Sequence, residues 1–546
     1  MNTGIRTGIV SVVAGVSLTA FLVLMLPQKV DAIPAFSRQY GTSCTTCHTD
    51  FPKLNDFGKA FKDAGFKFPK DDETFLKIQP TMLGAPAQKE LWPKTVWPGT
   101  IPGLPPIGLR MNNFFQVVGK NRGNFDALTP ANTISPFIPR TDFETGFFSI
   151  FTAGNFGSEI AFWVDDDISV AGDNGNGGLG DGYLKFVNLG RLIKLPKDSL
   201  SLRVGQFELD LPFTQARSYD ISPYDIYQEA NIGAMNSMFA QQNVNNGFAF
   251  SNAAKGVELS GGHNYGGYQY SIAFVDQNTS GVDQFANSSP FVPSATGGSN
   301  GGVGFASDSN FKDIYGRLAY RFNLEHDKAS RNDVQAAGSM GPRDHTSLKL
   351  GSYYFYGRSV QRVLGGGATP VIEAREPFYR VGGDFNFNYR TLNIYGLYMY
   401  ARDHNLLPVD STGALIPLPL PGTTPLPVGF VKSAPAKFNG GFIQADYLAL
   451  PWLMAIMRWD RVQSSADQIN GIAGLTASSF SAAFDSTRDR FTPGVQFLIH
   501  ANIKASFEYQ YRPRQYVTIV TNAGGLPVPI NPFRTNAATV ALEFVY

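Results

Sequence analysis

From residue 107 to the C-terminus, the chain repeats segments of about ten residues in which apolar and polar side chains alternate. In 503–512, aliphatic and aromatic residues occupy every odd position, while the even positions include Lys504, Glu508 and Arg512. A period of two is typical of a β-strand with two different faces. Strands of this length with an aromatic-rich face are typical of transmembrane β-barrels, in which that face contacts lipid and the charged face lines the lumen. The alternative is a soluble all-β protein, whose apolar face would form the interior.

Sixteen such segments can be counted, and the links between them alternate in length. The links after odd-numbered strands are long, whereas most links after even-numbered strands are tight turns, such as those at Arg390, Leu450 and His500. One long link, 324–345, follows strand eight and breaks this rule. An even strand number with short periplasmic turns and long outer loops is the pattern of a bacterial outer-membrane barrel. The predicted strands lie near 107–119, 143–156, 159–168, 182–190, 200–208, 255–262, 266–277, 312–322, 346–357, 377–389, 391–402, 437–449, 451–461, 487–499, 501–513 and 535–546.

The composition favours an all-β membrane protein over a helical one. Charged residues make up 16% of the chain and aromatic residues 13%, whereas a soluble globular protein has about 25% charged residues. After residue 26, no apolar run reaches the roughly 18–20 residues that a transmembrane helix needs, which excludes a helical transporter. The net charge of +1 argues against a nucleic-acid-binding protein.

The N-terminal segment 1–32 has the features of a secretory signal peptide. Arg6 provides the positive charge, 9–26 is the apolar stretch, and Ala32 is the small residue that a signal peptidase prefers before the cut. An uncleaved membrane anchor is the alternative. Export would place the two cysteines of the chain outside the cytoplasm.

Both cysteines belong to one motif, Cys44-Thr45-Thr46-Cys47-His48. C-x-x-C-H is the attachment signature of c-type haem: the two thiols add to the two vinyl groups of the porphyrin, and the imidazole of His48 ligates the iron. The sequence therefore predicts one covalent haem c. A thioredoxin-type disulfide, a zinc site and chance are the alternatives, although the first lacks a βαβ context and the second lacks a nearby fourth ligand.

A short amphipathic helix is predicted directly after the motif. Asp50 is a candidate N-cap, Gly65 is a candidate C-cap, and Leu54, Phe57 and Phe61 form one apolar stripe. This stripe could cover one face of the haem or pack against the mouth of the barrel.

The domain organisation follows from these features. A small α-helical monohaem cytochrome c module is predicted at 33–70, a Pro-rich connector at 71–106 and the outer-membrane barrel at 107–546. About 40 residues are near the lower limit for independent folding, so we expect the module to need its haem and a surrounding structure.

The opening of the predicted mature chain resembles a known family. The segment 33–39, the haem motif at 44–48 and the segment 51–58 with Phe61 resemble the fused cytochrome–porins of the bacterial outer membrane, best known as iron oxidases. The resemblance implies that the haem module plugs a barrel of about sixteen strands. It also implies that an extracellular donor, Fe(II), gives one electron to the haem, and that a periplasmic cytochrome c or cupredoxin removes it.

Three functions are consistent with the sequence. The first is an outer-membrane electron-transfer protein, an Fe(II) oxidase by resemblance. The second is an electron-transfer protein of the same architecture that passes electrons outward, to an extracellular acceptor. The third is a diffusive porin in which the haem domain is accessory, and it predicts an open lumen.

The sixth ligand of the haem iron has two candidates near the module, Met82 and Met111. Met82 lies in an extended segment that can loop back over the ring, and Met/His ligation would raise the reduction potential; the alternative is that Met82 only packs against Trp92 or the barrel wall. His404 and His500 are more distant candidates. The aspartate triplet at 165–167 is a candidate for a transient iron contact or a solvated strand end.

Overall fold

The computed structural model describes most of the barrel and a compact N-terminal segment. The predicted signal peptide and most of the predicted connector lie outside the described residues. The described residues are 35–42, 44–50, 53–68, 81–82, 90, 100–101, 107–118, 140–156, 159–168, 178–213, 221–222, 224–228, 254–262, 266–276, 312–324, 346–364, 370–414, 428–464, 487–500, 502–513, 519–521, 527–529 and 536–546.

Sixteen strands form one closed barrel in which each strand pairs antiparallel with its sequence neighbour. The last strand pairs with the first and closes the ring, with Phe544 opposite Met111. This confirms the predicted all-β fold class, strand number and order. The strands are β1 (Ile107–Val118), β2 (Arg140–Phe156), β3 (Ile160–Ile168), β4 (Gly178–Phe186), β5 (Ser201–Phe207), β6 (Ala254–Gly262), β7 (Gly267–Asp276), β8 (Asp313–Asn323), β9 (Ser347–Leu364), β10 (Pro370–Tyr389), β11 (Leu392–Val409), β12 (Gly429–Leu450), β13 (Leu453–Ser464), β14 (Thr487–His500), β15 (Ile503–Gln510) and β16 (Ala537–Val545).

The remaining described elements are short. No helix among the described residues combines the length and the apolar character that crossing a membrane requires. These elements are helices α1 (Ala35–Tyr40), α2 (Asp56–Asp63) and α3 (Asp225–Gln228), the 3-10 turns Cys44–Thr46 and Leu189–Ile193, and three two-stranded pairs: His48–Asp50 with Lys53–Leu54, Thr81–Met82 with Thr100–Ile101, and Ile519–Thr521 with Pro527–Pro529.

The barrel is polar inside and apolar outside, as the alternation predicts. On β8, Arg317 and Arg321 are buried in the lumen, whereas Leu318 is 58% exposed on the outer face. On β16, Glu543 is buried and Leu542 is exposed. Charged side chains are satisfied inside by one another, while the outer aliphatic and aromatic side chains contact lipid. The closed ladder leaves no unpaired strand edge in the hydrocarbon, so the chain is a bacterial outer-membrane barrel.

The two ends of the barrel differ. At the end that we call the turn end, β10 and β11 are joined by 390–391, with Arg390 in the left-handed region at a φ of 53°, and β12 and β13 are joined by 451–452. Exposed aromatic side chains mark this rim, including Trp452 and Tyr546. We call the opposite end the loop end. In barrels of this kind the short turns face the periplasm.

Four strands run at least seven residues further toward the loop end than predicted. The strands β9 and β10 pair as far as Leu364 and Pro370, and β11 and β12 pair as far as Val409 and Gly429. The prediction stopped where the outward positions cease to be apolar. Beyond the bilayer the outer face no longer needs apolar side chains, although the hydrogen-bonded ladder continues.

Candidate functional site

The predicted haem motif forms a single tight turn. The 3-10 turn Cys44–Thr46 is closed by the Cys47 N–H, which donates to the Cys44 carbonyl over 3.2 Å. Both thiols are free and half-buried. His48 follows at once and lies opposite Leu54 in the short hairpin. Both sulfurs and the imidazole therefore belong to one continuous piece of backbone.

Burial keeps these thiols protonated. Desolvation raises the pKa of Cys44, and it raises the pKa of Cys47 to about 12, with a smaller contribution from neighbouring Cys44. A zinc site would need thiolates and further ligands. No group of three or more His, Cys, Asp or Glu side chains that could hold a metal ion occurs within the described residues. Protonated thiols without a third ligand among the described residues are not the arrangement of a zinc site.

Asn55 fastens this turn to helix α2. Its side-chain oxygen accepts the Gly58 N–H over 2.9 Å as the N-cap. Its side-chain nitrogen donates to the Thr46 carbonyl over 3.1 Å, and its backbone N–H donates to the Cys47 carbonyl over 2.9 Å. One residue thus fixes both the start of the helix and the two peptide groups that precede His48.

The N-cap predicted at Asp50 is wrong, because Asp50 pairs with Lys53 in the hairpin and the helix begins only at Asp56. Gly65 ends the helix as predicted, but as the left-handed residue that follows the C-cap Ala64. Gly65 has a φ of 79°, its N–H donates to the Lys62 carbonyl, and the next N–H donates to the Phe61 carbonyl. This is a Schellman motif, which needs a left-handed residue at that position.

Gly58 allows the helix to approach the motif closely. A Cβ atom built on Gly58 would lie 2.1 Å from the Cys47 carbonyl oxygen. That oxygen already accepts the hydrogen bond of the Asn55 N–H, so it cannot move away without breaking this hydrogen bond. Glycine is therefore required where α2 crosses the turn.

Aromatic rings enclose the buried side of the motif. Phe36 and Phe61 lie edge to face with centroids 5.1 Å apart, and Tyr40 stacks on Phe68 at 4.3 Å. Cys47 packs against this cluster. We call it the aromatic cluster; its residues are Phe36, Tyr40, Phe57, Phe61, Phe66 and Phe68.

The aromatic cluster continues onto the barrel wall at β3 and β4. Phe66 stacks on Trp163 of β3 with centroids 5.6 Å apart. Asp63 accepts a hydrogen bond from Lys185 of β4 over 3.2 Å. Phe57 and Phe61 of the predicted stripe belong to one cluster with Ala153 and Ala161 of the wall, so the stripe packs against the barrel mouth.

The other side of the segment reaches the opposite wall. Lys53 donates to Asn393 of β11 and forms an ion pair with Asp446 of β12 over 3.3 Å. Between these walls, Asp56 pairs with Arg321 of β8. In a ring of sixteen strands, β3 and β11 are eight strands apart and face each other. All these wall residues lie near the turn end, so the segment 53–66 spans the lumen there.

A second segment crosses the lumen nearer the loop end. It belongs to the link between β5 and β6, and its described residues are 208–213, 221–222 and 224–228. Asp225 on α3 pairs with Arg490 of β14 over 3.1 Å and with Arg512 over 3.0 Å. Burial alone would raise the pKa of Asp225, but these two guanidinium groups outweigh it and lower the pKa to about 2. We call this the crossing segment.

Further contacts hold the crossing segment against three strands. The Ser222 hydroxyl donates to Glu508 of β15 over 2.7 Å and accepts from Arg458 of β13 over 2.6 Å. Tyr224 stacks on Phe442 of β12 with centroids 3.9 Å apart. The segment leaves the wall at β5 and docks on the far wall, so the lumen is crossed at two levels.

The candidate sixth ligands are not all compatible with this arrangement. Met111 lies between Arg110 and Asn112, which point into the lumen, so Met111 points to lipid. His404 lies eleven residues beyond the module contact at Asn393 on β11, about 36 Å at 3.3 Å per residue. The backbone of Met82 pairs with Thr100, but its side chain lies outside the described part of the structure. His500 ends β14 at the turn end.

The two described side chains of the aspartate triplet, Asp165 and Asp166, point to opposite faces of the barrel wall. Asp165 points inward and accepts a hydrogen bond from the Asp181 N–H, whereas Asp166 is exposed on the outer face. Consecutive strand residues face opposite sides. The side chain of Asp167 lies outside the described residues. The described pair therefore does not form an iron-binding cluster.

Sequence reasoning missed the residues that position the site. Asn55 could have been found, because an Asn just before the first residues of a helical apolar stripe is a standard N-cap signal. The pairs made by Arg321 with Asp56 and by Asp225 with Arg490 join residues hundreds of positions apart. Each charge is visible in the sequence, but its partner is chosen by the closed barrel.

No protein-family model and no curated protein sequence matches the chain. Several solved outer-membrane structures are similar to it in overall architecture. The anion-selective porin from Comamonas acidovorans is 12% identical, with 81% of this chain and 99% of that chain covered and a TM-score of 0.43. OmpT of Vibrio cholerae is 8% identical over 81% and 97%, with a TM-score of 0.42. OprB of Pseudomonas putida is 8% identical over 84% and 96%, also with a TM-score of 0.42.

Proposed function

We propose that this barrel is an outer-membrane electron-transfer protein with one covalent haem c on Cys44 and Cys47. The extracellular donor is Fe(II) by resemblance to the fused cytochrome–porins, and the acceptor is a soluble periplasmic cytochrome c or cupredoxin. The observation that carries the proposal is that Asn55 ties the C-x-x-C-H turn to the segment 53–66, which spans the lumen at the turn end. A redox centre there lies within reach of a periplasmic protein.

The residues around the motif fit the attachment of haem. Each neutral thiol of Cys44 and Cys47 would add its sulfur to one carbon of a vinyl group and its proton to the other, which leaves no by-product. His48 would ligate the iron. Haem, when bound, supplies a one-electron Fe(III)/Fe(II) couple. The aromatic cluster excludes water on the side of Cys47, and Asn55 holds the turn in place.

The sixth ligand of the proposed haem is Met82. Since Met111 faces lipid, it provides a methionine control on the same chain. If Met82 is a ligand, Met82→Ala lowers the midpoint potential and opens the site to carbon monoxide, because thioether ligation raises the potential. Met111→Ala leaves both properties unchanged. An unchanged potential in Met82→Ala would rule out this ligand.

The decisive experiment combines haem attachment with electron uptake. In Cys44→Ala with Cys47→Ala, covalent haem staining is lost while heat-modifiable barrel mobility in gels is retained, because barrel strands close through their own hydrogen bonds. The purified wild-type protein, mixed with Fe(II) under anoxic conditions, shows haem reduction in its absorbance spectrum. Haem staining that survives the double substitution would contradict attachment at Cys44 and Cys47. An absorbance spectrum that Fe(II) does not change would contradict Fe(II) as the electron donor.

A diffusive porin with an accessory haem domain is the second candidate, because the barrel itself is porin-like. The two segments across the lumen predict a low single-channel conductance in planar bilayers. A conductance typical of an open sixteen-strand porin in the intact chain would favour this function. Outward transfer to an extracellular acceptor differs only in direction, and a haem potential above that of the periplasmic carrier would favour it.

A further inference from the structure

One described link at the turn end is much longer than its neighbours. The link between β4 and β5 spans 187–200 and contains the 3-10 turn Leu189–Ile193, whereas 390–391 and 451–452 are two-residue turns. We call 187–200 the basic link. Its length carries it past the rim of the barrel on the periplasmic side.

The basic link presents an apolar patch next to two exposed lysines. Leu192 is 76% exposed and Ile193 is 65% exposed, although neither lies on a membrane-spanning strand. Lys194 and Lys197 flank them and are exposed, and the exposed Arg191 forms an ion pair with Glu159 beside the link. The only acidic residue in the link is Asp198. A small apolar surface with a basic rim is suited to transient docking of an acidic protein, because complementary charge accelerates association more than it strengthens the complex.

The basic link has a fixed shape rather than a collapsed one. The Leu195 N–H donates to the Gly190 carbonyl over 2.8 Å, and the Asp198 N–H donates to the Asn188 side chain over 2.6 Å. From the neighbouring strands, the Gly262 N–H donates to the Asp198 carbonyl and the Tyr270 hydroxyl donates to the Ser199 carbonyl. These bonds keep the two exposed aliphatic side chains from folding back onto the barrel.

The basic link is continuous with the segment that carries the haem motif. Val187 packs in the same cluster as Phe66, and a Cβ built on Gly65 would lie 3.1 Å from the Val187 side chain. Two residues earlier, Lys185 pairs with Asp63 of α2. A protein that docks on the basic link therefore lies beside the module.

We propose that the basic link is the docking surface for a soluble acidic electron carrier of the periplasm. This proposal rests on the proposed electron-transfer function. Acidic phospholipid headgroups are the competing occupant, since they too attract basic and apolar residues. Elsewhere on this rim the lipid boundary is marked by exposed aromatic residues such as Tyr389, Tyr447 and Trp452, whereas the basic link contains no aromatic residue. Together with its contact to the module, this favours a protein partner.

The test uses the haem-loaded full chain in lipid nanodiscs, and the probes are spinach plastocyanin, which is acidic, and horse cytochrome c, which is basic. Stopped-flow oxidation of the reduced chain is measured with each oxidised probe at several salt concentrations. In Lys194→Glu with Lys197→Glu, the rate with plastocyanin is expected to fall about tenfold at low salt and to converge with wild type at high salt. The rate with horse cytochrome c should rise. The variant Leu192→Ser with Ile193→Ser should slow the reaction with both probes at every salt concentration.

The matched control is Arg390→Glu, a charge reversal at the same end on the far side of the barrel, which should leave the rates within twofold of wild type. Benzoquinone, an uncharged acceptor, should oxidise every variant at the same rate. Absent haem or no reaction with benzoquinone would mean that the proposed function has failed. Normal haem and normal benzoquinone oxidation, with plastocyanin rates unchanged in the link variants, would overturn the docking surface alone.

The lipid alternative has its own readout. In Leu192→Cys, the new thiol is the only free one once Cys44 and Cys47 carry haem, so it takes a single nitroxide label. Broadening of the label spectrum by a water-soluble nickel chelate, with little effect of oxygen, is expected for a docking surface in water. Strong broadening by oxygen with protection from the chelate would place the residue in lipid and overturn the proposal.

Discussion

Asp56 and Arg321 join helix α2 to the barrel wall through two parallel hydrogen bonds. The Asp56 Oδ1 lies 2.6 Å from one guanidinium nitrogen and Oδ2 lies 2.8 Å from the other. Both side chains are almost fully buried, at 3% and 6% exposed. Because the pair is bidentate and buried, it fixes both the position and the orientation of the segment that carries the haem motif.

Loss of one partner of this pair is expected to release the module. In Asp56→Asn the Arg321 charge stays buried without its carboxylate, and breaking a buried pair in this way costs about 3–5 kcal/mol. Limited proteolysis of folded protein in detergent should then cut near the module faster than in wild type, while the barrel core stays resistant.

The double substitution Asp56→Leu with Arg321→Met provides the control for this pair. It removes both charges together, and such replacements are often neutral or stabilising. Resistance close to wild type in the double variant, with sensitivity in the single one, would identify the buried charge as the cause. Equal sensitivity in both variants would mean that the pair has no specific role.

Asn55 provides a second test, because its two side-chain functions can be separated. Asn55→Asp keeps the oxygen that caps α2 but replaces the N–H group that donates to the Thr46 carbonyl. Asn55→Ala removes both and should lose about 1 kcal/mol from the cap. Covalent haem per barrel, measured by pyridine haemochrome, is expected to fall in the order wild type, Asp variant, Ala variant. Equal haem loading in the wild type and both variants would show that the turn does not depend on the side-chain hydrogen bonds of Asn55.

Gly58→Ala tests the close approach between α2 and the motif. A Cβ at that position would lie 2.1 Å from the Cys47 carbonyl oxygen, so the helix or the turn must shift. We expect reduced haem loading with normal barrel assembly. Gly316→Ala on β8 is the control, since nothing lies within 4 Å of a Cβ built there. Full loading in Gly58→Ala would contradict the observed packing.

The sequence predicted the barrel well because its signal is local. One face of each strand contacts lipid and the other lines the lumen, so positions such as Leu318 and Arg317 can be assigned to a face from the alternation alone. The helix after the motif was harder. Asp50 and Asn55 are both good N-caps in isolation, and only the hairpin between 48 and 54 decides between them.

The occupation of the lumen could not be predicted in the same way. The family resemblance suggested a plug, but the contacts that hold the segment 53–66 depend on which strands face each other in a closed ring. No pattern in the sequence indicated that the crossing segment lies across the lumen. Asp225 lies in a long link that reads as an outer loop, and its arginine partners lie more than 260 residues further along the chain.

Asp225 should control how firmly the crossing segment closes the lumen. Its pKa is lowered from 3.8 to about 2 by Arg490 and Arg512, so its ionised form stabilises the folded state by about 2 kcal/mol. A lowered pKa means that this contribution is complete above about pH 4 and is lost as the pH falls toward 2.

In planar bilayers we therefore expect wild-type conductance to stay low from pH 7 to 4 and to rise below that. Asp225→Asn should conduct more at pH 7, because Arg490 and Arg512 lose this carboxylate, although Arg490 keeps its pair with Asp460, and should lack the acid step. Asp410→Asn, at an exposed loop-end turn, is the control and should behave as wild type; an unchanged conductance in Asp225→Asn would mean that the crossing segment is held by its other contacts.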